Sequence, residues 1–360
     1  MQDSGTNIIY VVPFLLHISK EVKMLRIRQF QMMAILFLSY ISIVCVPVVD
    51  AHHGGVSAAF GPGAPVETAS PMTLGKGKFL LYERMEYVPF RNRDNAEPEN
   101  VDTFTFFNTL AGFGFTDALS LYLTLPAAIK EQDGLNKSRG FGDLEFMAQY
   151  GFKYGERDGI RGFYRNGTDD TEGAHYTMDD LKMSLTGGIS IPTGTISNRD
   201  DKGNIFDMGM QPGFGAPSFT FGFAASKLMF PHFTLTADTS IRAFSQQNDS
   251  KPSNEIRFNV AGGYEVFEDQ DGFLTRLDII TETNVLHLTK DQGADRDPEN
   301  DTGGTILYLS PGFRASFGSH VSVGALIKFP VWQDLNNESV QQGAEGLEDY
   351  RAVVTLTVSF

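Results

Sequence analysis

Three groups of residues have types and spacings that suit chemistry. A leader removed after Ala51 would leave a mature chain beginning His52-His53-Gly54-Gly55. Two imidazoles beside a free amine suit copper, nickel or zinc, although histidine pairs at flexible ends are usually just solvated. Asp295, Asp297, Glu299 and Asp301 recur like the oxygen ligands of a hard cation, but the glycine of that stretch falls one place late for an EF-hand loop. A solvated acidic loop, or one bridged by calcium to lipopolysaccharide, is the expectation. In the run His320-Val321-Ser322-Val323 an imidazole lies near a hydroxyl. A nucleophilic serine needs its base within hydrogen-bond reach and a third group to orient that base, and no Asn follows Ser322. His175, His232 and His287 lack the context as well, so an enzyme is not expected. No cofactor is implied.

The larger set of candidates is a series of charged residues at period-two spacing. Arg84 and Glu86 fall in one predicted strand, Glu145 and Lys153 in a second, Lys182 in a third, and Asp238 and Arg242 in a fourth. Further along come Arg257, then Arg276, Asp278 and Glu282, then Arg314, Lys328 and Arg351. In most cases the alternate positions are apolar. From Phe79 to Val88, for example, Phe79, Leu81, Met85 and Tyr87 share one face, and Tyr82, Arg84 and Glu86 share the other. Charges of both signs on one face and hydrocarbon on the other describe a strand between water and lipid. These residues are candidates to line a wet lumen, where opposite charges hold a hydrated wall of weak ion selectivity. For any one of them the plainer reading, a salt bridge that fills the lumen and stiffens the barrel, is the favoured one.

Period-two alternation between turn signals predicts twelve strands: 79–88, 103–113, 118–129, 143–154, 181–192, 218–226, 233–244, 255–267, 273–286, 305–317, 321–331 and the C-terminus. In the last, Tyr350, Ala352, Val354, Leu356, Val358 and Phe360 alternate with Arg351, Thr355, Thr357 and Ser359. A terminal strand closed by an aromatic residue predicts recognition by the barrel-assembly machinery through Phe360. The predicted turns at one end are short, and the loops at the other are longer and rich in Gly, Asp and Asn, as an all-β transmembrane up-and-down antiparallel barrel requires. Residues 155–180 are the exception, a long segment on the short-turn side. Glu83, on the presumed lipid face, is a second irregularity, for which a bulge or an interfacial position is expected.

The N-terminus supplies the route. Arg26 and Arg28 precede an apolar run from Met32 to Val49, and Val49-Asp50-Ala51 suits signal peptidase. Residues 1–51 therefore read as a signal peptide with Met24 as its true start, 52–77 as a flexible segment, and 78–360 as the barrel. Cys45 lies inside the apolar run after Val44, which excludes a lipoprotein signal. The leader would remove four basic and three acidic residues and shift the net charge from −15 to −16. A polyanion is a poor partner for nucleic acid. With Cys45 gone, neither a disulfide nor a thiolate site is available. The segment 52–77 contains Gly61-Pro62-Gly63-Ala64-Pro65, which is no strand. It either hangs in the periplasm or folds into the lumen as a plug, and the plug is favoured.

Gly114-Phe115-Thr116-Asp117-Ala118-Leu119-Ser120-Leu121, Gly140-Phe141-Gly142-Asp143-Leu144 and Gly187-Gly188-Ile189-Ser190-Ile191-Pro192-Thr193-Gly194 resemble the outer-membrane family of meta-pathway phenol-degradation transporters. The resemblance covers most of the mature chain. It implies passive passage of small organic molecules, often aromatic, through a channel in the cell outer membrane. The motifs mark architecture rather than solute. The reading from another class is a non-conducting barrel whose acidic outer loops bind partners or lipopolysaccharide.

Overall fold

The computed structural model describes residues 64–92, 100–155, 159–163, 180–246, 251–269, 271–293, 297–300, 302–336 and 347–360. The leader, Met24, Cys45, His52, His53, His175, Asp295 and Asp301 lie outside the described residues. Fourteen strands are present among those described: β1 (Phe79–Pro89), β2 (Val101–Gly114), β3 (Leu119–Gln132), β4 (Asn136–Phe141), β5 (Leu144–Gly155), β6 (Gly159–Gly162), β7 (Asp180–Ile191), β8 (Ser218–Phe230), β9 (Phe233–Phe244), β10 (Glu255–Glu268), β11 (Leu274–Leu288), β12 (Gly304–Phe317), β13 (Val321–Leu335) and β14 (Arg351–Ser359).

Twelve of them, all but β4 and β6, form a closed antiparallel ring in chain order. Closure is made by β1 against β14, in register from Leu80↔Ser359 to Tyr87↔Ala352. These are the twelve strands expected from alternation. β3 and β4 are a refinement: β3 pairs with β5 only from Leu119↔Tyr150 to Thr124↔Glu145. Above that point it pairs with β4, from Ala127↔Phe141 to Gln132↔Asn136. β6 folds back on the end of β5, inside the long segment that breaks the turn-length rule.

The burial pattern is that of an inverted protein. Leu121, Leu123 and Leu125 of β3 are exposed, whereas Ser120, Tyr122 and Thr124 between them are buried. A water-soluble domain buries the opposite set, so the outer face is built for hydrocarbon. Short turns gather at one end, including the two-residue Pro231-His232 connection of β8 and β9, and this end is the periplasmic one. Ring pairs collect there as well: Phe79 with Phe113 at 4.8 Å, Phe230 with Phe233 at 4.7 Å, and Phe273 with Phe317 at 5.2 Å. They gather at the rim where such barrels carry their aromatic girdle.

Two of the sequence motifs meet in space. One carboxylate oxygen of Asp143 accepts a hydrogen bond from Gly194 N and the other from Phe214 N, both at 2.8 Å. This folds the loop after β7 back toward the wall. A Cβ on Gly194 would stand 2.7 Å from the carbonyl carbon of Gly142 and 2.8 Å from Gly213 Cα, so only glycine permits the approach.

Glu83 points outward, as expected, but no bulge rescues it. Its register runs unbroken between Thr109 and Leu356. Instead the Thr109 hydroxyl donates to its carboxylate at 2.6 Å.

The lipid-facing assignment of β3 yields a direct test. Leu123→Arg should destabilise the barrel by about 2–4 kcal/mol in phospholipid vesicles, measured by reversible denaturant unfolding. A cost below about 0.5 kcal/mol, typical of a water-exposed surface, would show that this face does not meet hydrocarbon.

Candidate functional site

Residues 64–78 run inside the ring. Near the periplasmic end, Gly77 N donates to Gly114 O at 2.8 Å. Deeper, Leu74 N donates to Ser120 Oγ and Ser70 O accepts from Gln149 Nε2, each at 2.8 Å. Ala69 N donates to an Asp238 carboxylate oxygen at 2.8 Å. At the deepest turn, Val66 N and Glu67 N share one oxygen of Glu282 at 2.7 and 2.9 Å, and Thr68 N reaches the other at 2.7 Å with help from its own hydroxyl. Arg314 closes the set by donating to the carbonyls of Ala64 and Pro65 at 2.7 and 2.8 Å. The physical reason is the segment itself. Its prolines and lack of strand pairing leave amides that must find acceptors once buried, and the inward carboxylates of β9 and β11 supply them.

Glu67 is then delivered into a cluster of cations. Its carboxylate lies 2.7 Å from Arg84, 3.1 Å from Lys328 and 3.7 Å from Arg257. Around it the wall pairs its own charges: Arg84 with Glu86 at 2.6 Å, Arg257 with Glu255 at 2.9 Å, and Arg351 with both Glu86, at 2.9 Å, and Glu348. Lys328 also lies over the Tyr308 ring at 4.7 Å. The cluster exists because Arg84, Arg257, Lys328 and Arg351 all occupy the inward register of their strands. Glu67 itself is on the inserted segment, off the spanning strands. Burial raises its pKa, but Arg84, Lys328 and Arg257 outweigh that and hold it at about 2.

The outer part of the interior is different. Val88, Phe90, Val101, Phe104, Phe206, Met210 and Leu347 pack there as one apolar cluster, and Leu286, Leu288, Ile306 and Tyr308 as another. Met210 belongs to a single 3-10 turn, Met208–Met210, in the loop after β7. Lys130 pins that loop by donating to the carbonyls of Gly209 and Gln211 at 2.6 and 2.9 Å, with its ammonium over Phe104 at 5.1 Å. The interior thus has an aromatic outer zone above a charged middle zone.

The remaining candidates are placed as follows. Asp238 accepts from Asn259, and the chain continues through Asn284 to Ser310 across β9 to β12. Arg276 pairs with Asp278 at 2.7 Å and Glu265 at 2.8 Å. Glu145 accepts from Thr220, Arg242 donates to Ser218 and stacks over Phe244, and Lys182 is buried. Lys153 differs: its side chain is 42% exposed and pairs with Asp180 near the periplasmic rim, so it is no part of the central cluster. Four participants escaped the sequence reading: Glu67, Glu255, Glu348 and Lys130. Glu255 and Lys130 share the inward parity of Arg257 and Ser120, which was a usable signal. The histidines make separate contacts: His287 with Thr305, His320 with the Ser359 carbonyl, and His232 with Glu265. Ser322 is bonded to Arg314, not to an imidazole.

Closed ring, hydrocarbon-facing exterior and aromatic girdle together define an outer-membrane β-barrel. The chain belongs to the family described as "Putative MetA-pathway of phenol degradation", whose model matches residues 99–338. Among solved structures it resembles an outer membrane channel from Pseudomonas putida F1, at 14% identity and a TM-score of 0.56, over 82% of this chain and all of that one. At this identity the likeness is one of fold. Two more distant barrels are the NanC porin (9% identity, TM-score 0.39, 77% of this chain and 98% of that one) and the CymD monoaromatic hydrocarbon channel (13%, 0.36, 86% and 96%). No curated protein matches the chain.

The anchor of the inserted segment is testable without transport. Glu282→Gln replaces a charged acceptor of four hydrogen bonds, each worth about 1.5–3 kcal/mol when charge-assisted. Amide exchange at Val66, Glu67 and Thr68 should speed up by at least about tenfold, the equivalent of one such bond. Acid is predicted to act late. Because the Glu67 pKa is lowered from 4.5 to about 2, its stabilisation is complete above the ordinary value and lost only as pH falls toward the lower one. Protection of these amides should therefore survive at pH 4, and its loss there would contradict the ion cluster.

Proposed function

We propose that the protein is a passive outer-membrane channel for small organic solutes, with aromatic or hydrophobic ones favoured, and that residues 64–77 are its resident plug. The observation that carries this reading is the two-zone interior. Barrel interiors are ordinarily polar, whereas here buried apolar side chains pack against one another at the outer mouth, a lining that favours apolar matter over water where the path opens. Membership of the phenol-degradation family supports a solute of that kind. The lumen-facing charges Arg84, Glu86, Glu145, Lys182, Asp238, Arg242, Arg257, Arg276, Asp278, Glu282, Arg314, Lys328 and Arg351 are the proposed walls of the path. Lipid and lipopolysaccharide surround it, and the barrel-assembly machinery inserts it through the strand that ends at Phe360. No catalytic step enters this reading.

Planar-bilayer recording and liposome swelling test it together. The full protein should give small discrete current steps and, relative to protein-free liposomes, swell liposomes in the ionised aromatic acid benzoate faster than in sugars of similar size. Removal of residues 52–72 should enlarge the steps severalfold. Absence of steps both with and without those residues would favour the non-conducting surface barrel instead.

A further inference from the structure

The contact made by Glu67 is a side-chain carboxylate held by cations from three strands that are not neighbours in sequence. Arg84 of β1, Arg257 of β10 and Lys328 of β13 converge on it within 4 Å. The wall does not need Glu67 to balance Arg84 or Arg257, because Glu86 and Glu255 already pair with them. Lys328 is the exception. Among the described residues Glu67 is the one carboxylate it pairs with, and without it a buried ammonium would keep no paired carboxylate, only the Tyr308 ring and the more distant charge of Glu86, a costly state in a low dielectric. Arg84 adds a second observation: it is fully buried, and its Nε and Nη1 have no hydrogen-bond partner among the described residues. Buried guanidinium groups of that kind mark unused capacity for an anion with two oxygens.

We propose that Arg84, Arg257 and Lys328 form a carboxylate-binding subsite at mid-lumen, held at rest by the protein's own Glu67 and taken by a small organic acid when the inserted segment withdraws. The inference rests on the channel reading for its physiological use, though the binding site itself does not depend on conduction. The Tyr308 ring beside Lys328 would meet the apolar body of the same solute. An aromatic or short aliphatic monocarboxylate has the required shape, one charged end and one apolar end. A neutral phenol lacks the charged end and would pass without using the subsite.

Chemical rescue separates this from plugging alone. Glu67→Ala removes approximately an acetate's worth of side chain from the cluster. The variant should lose its heat-resistant gel mobility at a lower temperature than the parent protein. Added sodium acetate should restore that temperature in a saturable way, as ligand linkage requires, while isosteric acetamide should not. Lys328→Gln in the same background should abolish the acetate effect. Equal action of acetate and acetamide, or rescue that survives Lys328→Gln, would overturn the subsite. If Glu67→Ala does not refold in either condition, the near-isosteric Glu67→Gln replaces it. The readout is then the reversal potential in a potassium chloride gradient, where a severalfold rise in the anion-to-cation permeability ratio supports the proposal and an unchanged ratio overturns it. Absence of current in every variant, together with intact acetate rescue, would count against the channel and not against the site.

Discussion

Hydrocarbon offers no partner to a peptide group, so every amide in the wall must be bonded to a neighbouring strand, and the last strand must find the first. The β1–β14 seam meets that condition here, from Leu80↔Ser359 to Tyr87↔Ala352. Once the ring is closed, the pleat leaves no choice about side chains: each residue faces lipid or lumen according to its parity. A leucine at 123 and a threonine at 124 are consequences of one constraint. So is the presence of charge at the centre, because the inward parity is the only place in the membrane where Arg84, Glu86 or Arg314 can lie without meeting lipid.

That constraint creates a second one. Charges confined to a narrow lumen lie near others and must be balanced locally, since burial magnifies any surplus. The wall largely balances itself, with Arg351 bridging Glu86 and Glu348 and Arg276 bridging Glu265 and Asp278. Where it does not, the inserted segment completes it. Glu282 and Asp238 receive backbone N–H groups of residues 66 to 69, while Lys328 receives Glu67. The segment and the wall are therefore complementary in both hydrogen bonding and charge, and each leaves unsatisfied groups without the other.

How much of this was legible in the sequence follows from range. Alternation is local, so all twelve spanning strands and the inward parity of Arg84, Glu282 and Arg314 can be read from neighbouring residues. β4 was not, because Lys137, Ser138 and Arg139 are polar in succession and carry no period-two signal. Lys130 was missed by one residue at a strand end, and Glu348 by one residue before another. Glu67 had no local signature at all: a lone acid among prolines and small residues looks solvated. Its partners come from β1, β10 and β13, and only closure of the ring brings those strands around one point. The convergence of Asp143 on Gly194 and Phe214 is the same case, two visible motifs whose meeting was not visible.

The manner of attachment says something about what the inserted segment can do. Barrels of about eight strands are filled by their own side chains and those of sixteen or more hold open water, so a twelve-stranded ring lies between, and here residues 64–78 supply material to its interior. That material could have been packed by hydrocarbon, as a permanent core would be. Here Val66 packs against Ile280, Leu326 and Val353, and Leu74 against the cluster of Leu80, Tyr82, Leu110, Tyr122 and Met147, while the deepest turn is held by charge-assisted hydrogen bonds to acids of the wall. Such bonds are directional, and water can compete for both partners of each. An apolar plug resists withdrawal by its whole buried area, whereas a polar one can exchange each contact for hydration in turn. Such an attachment suits the proposed displacement by a competing anion better than hydrocarbon packing of the same segment would.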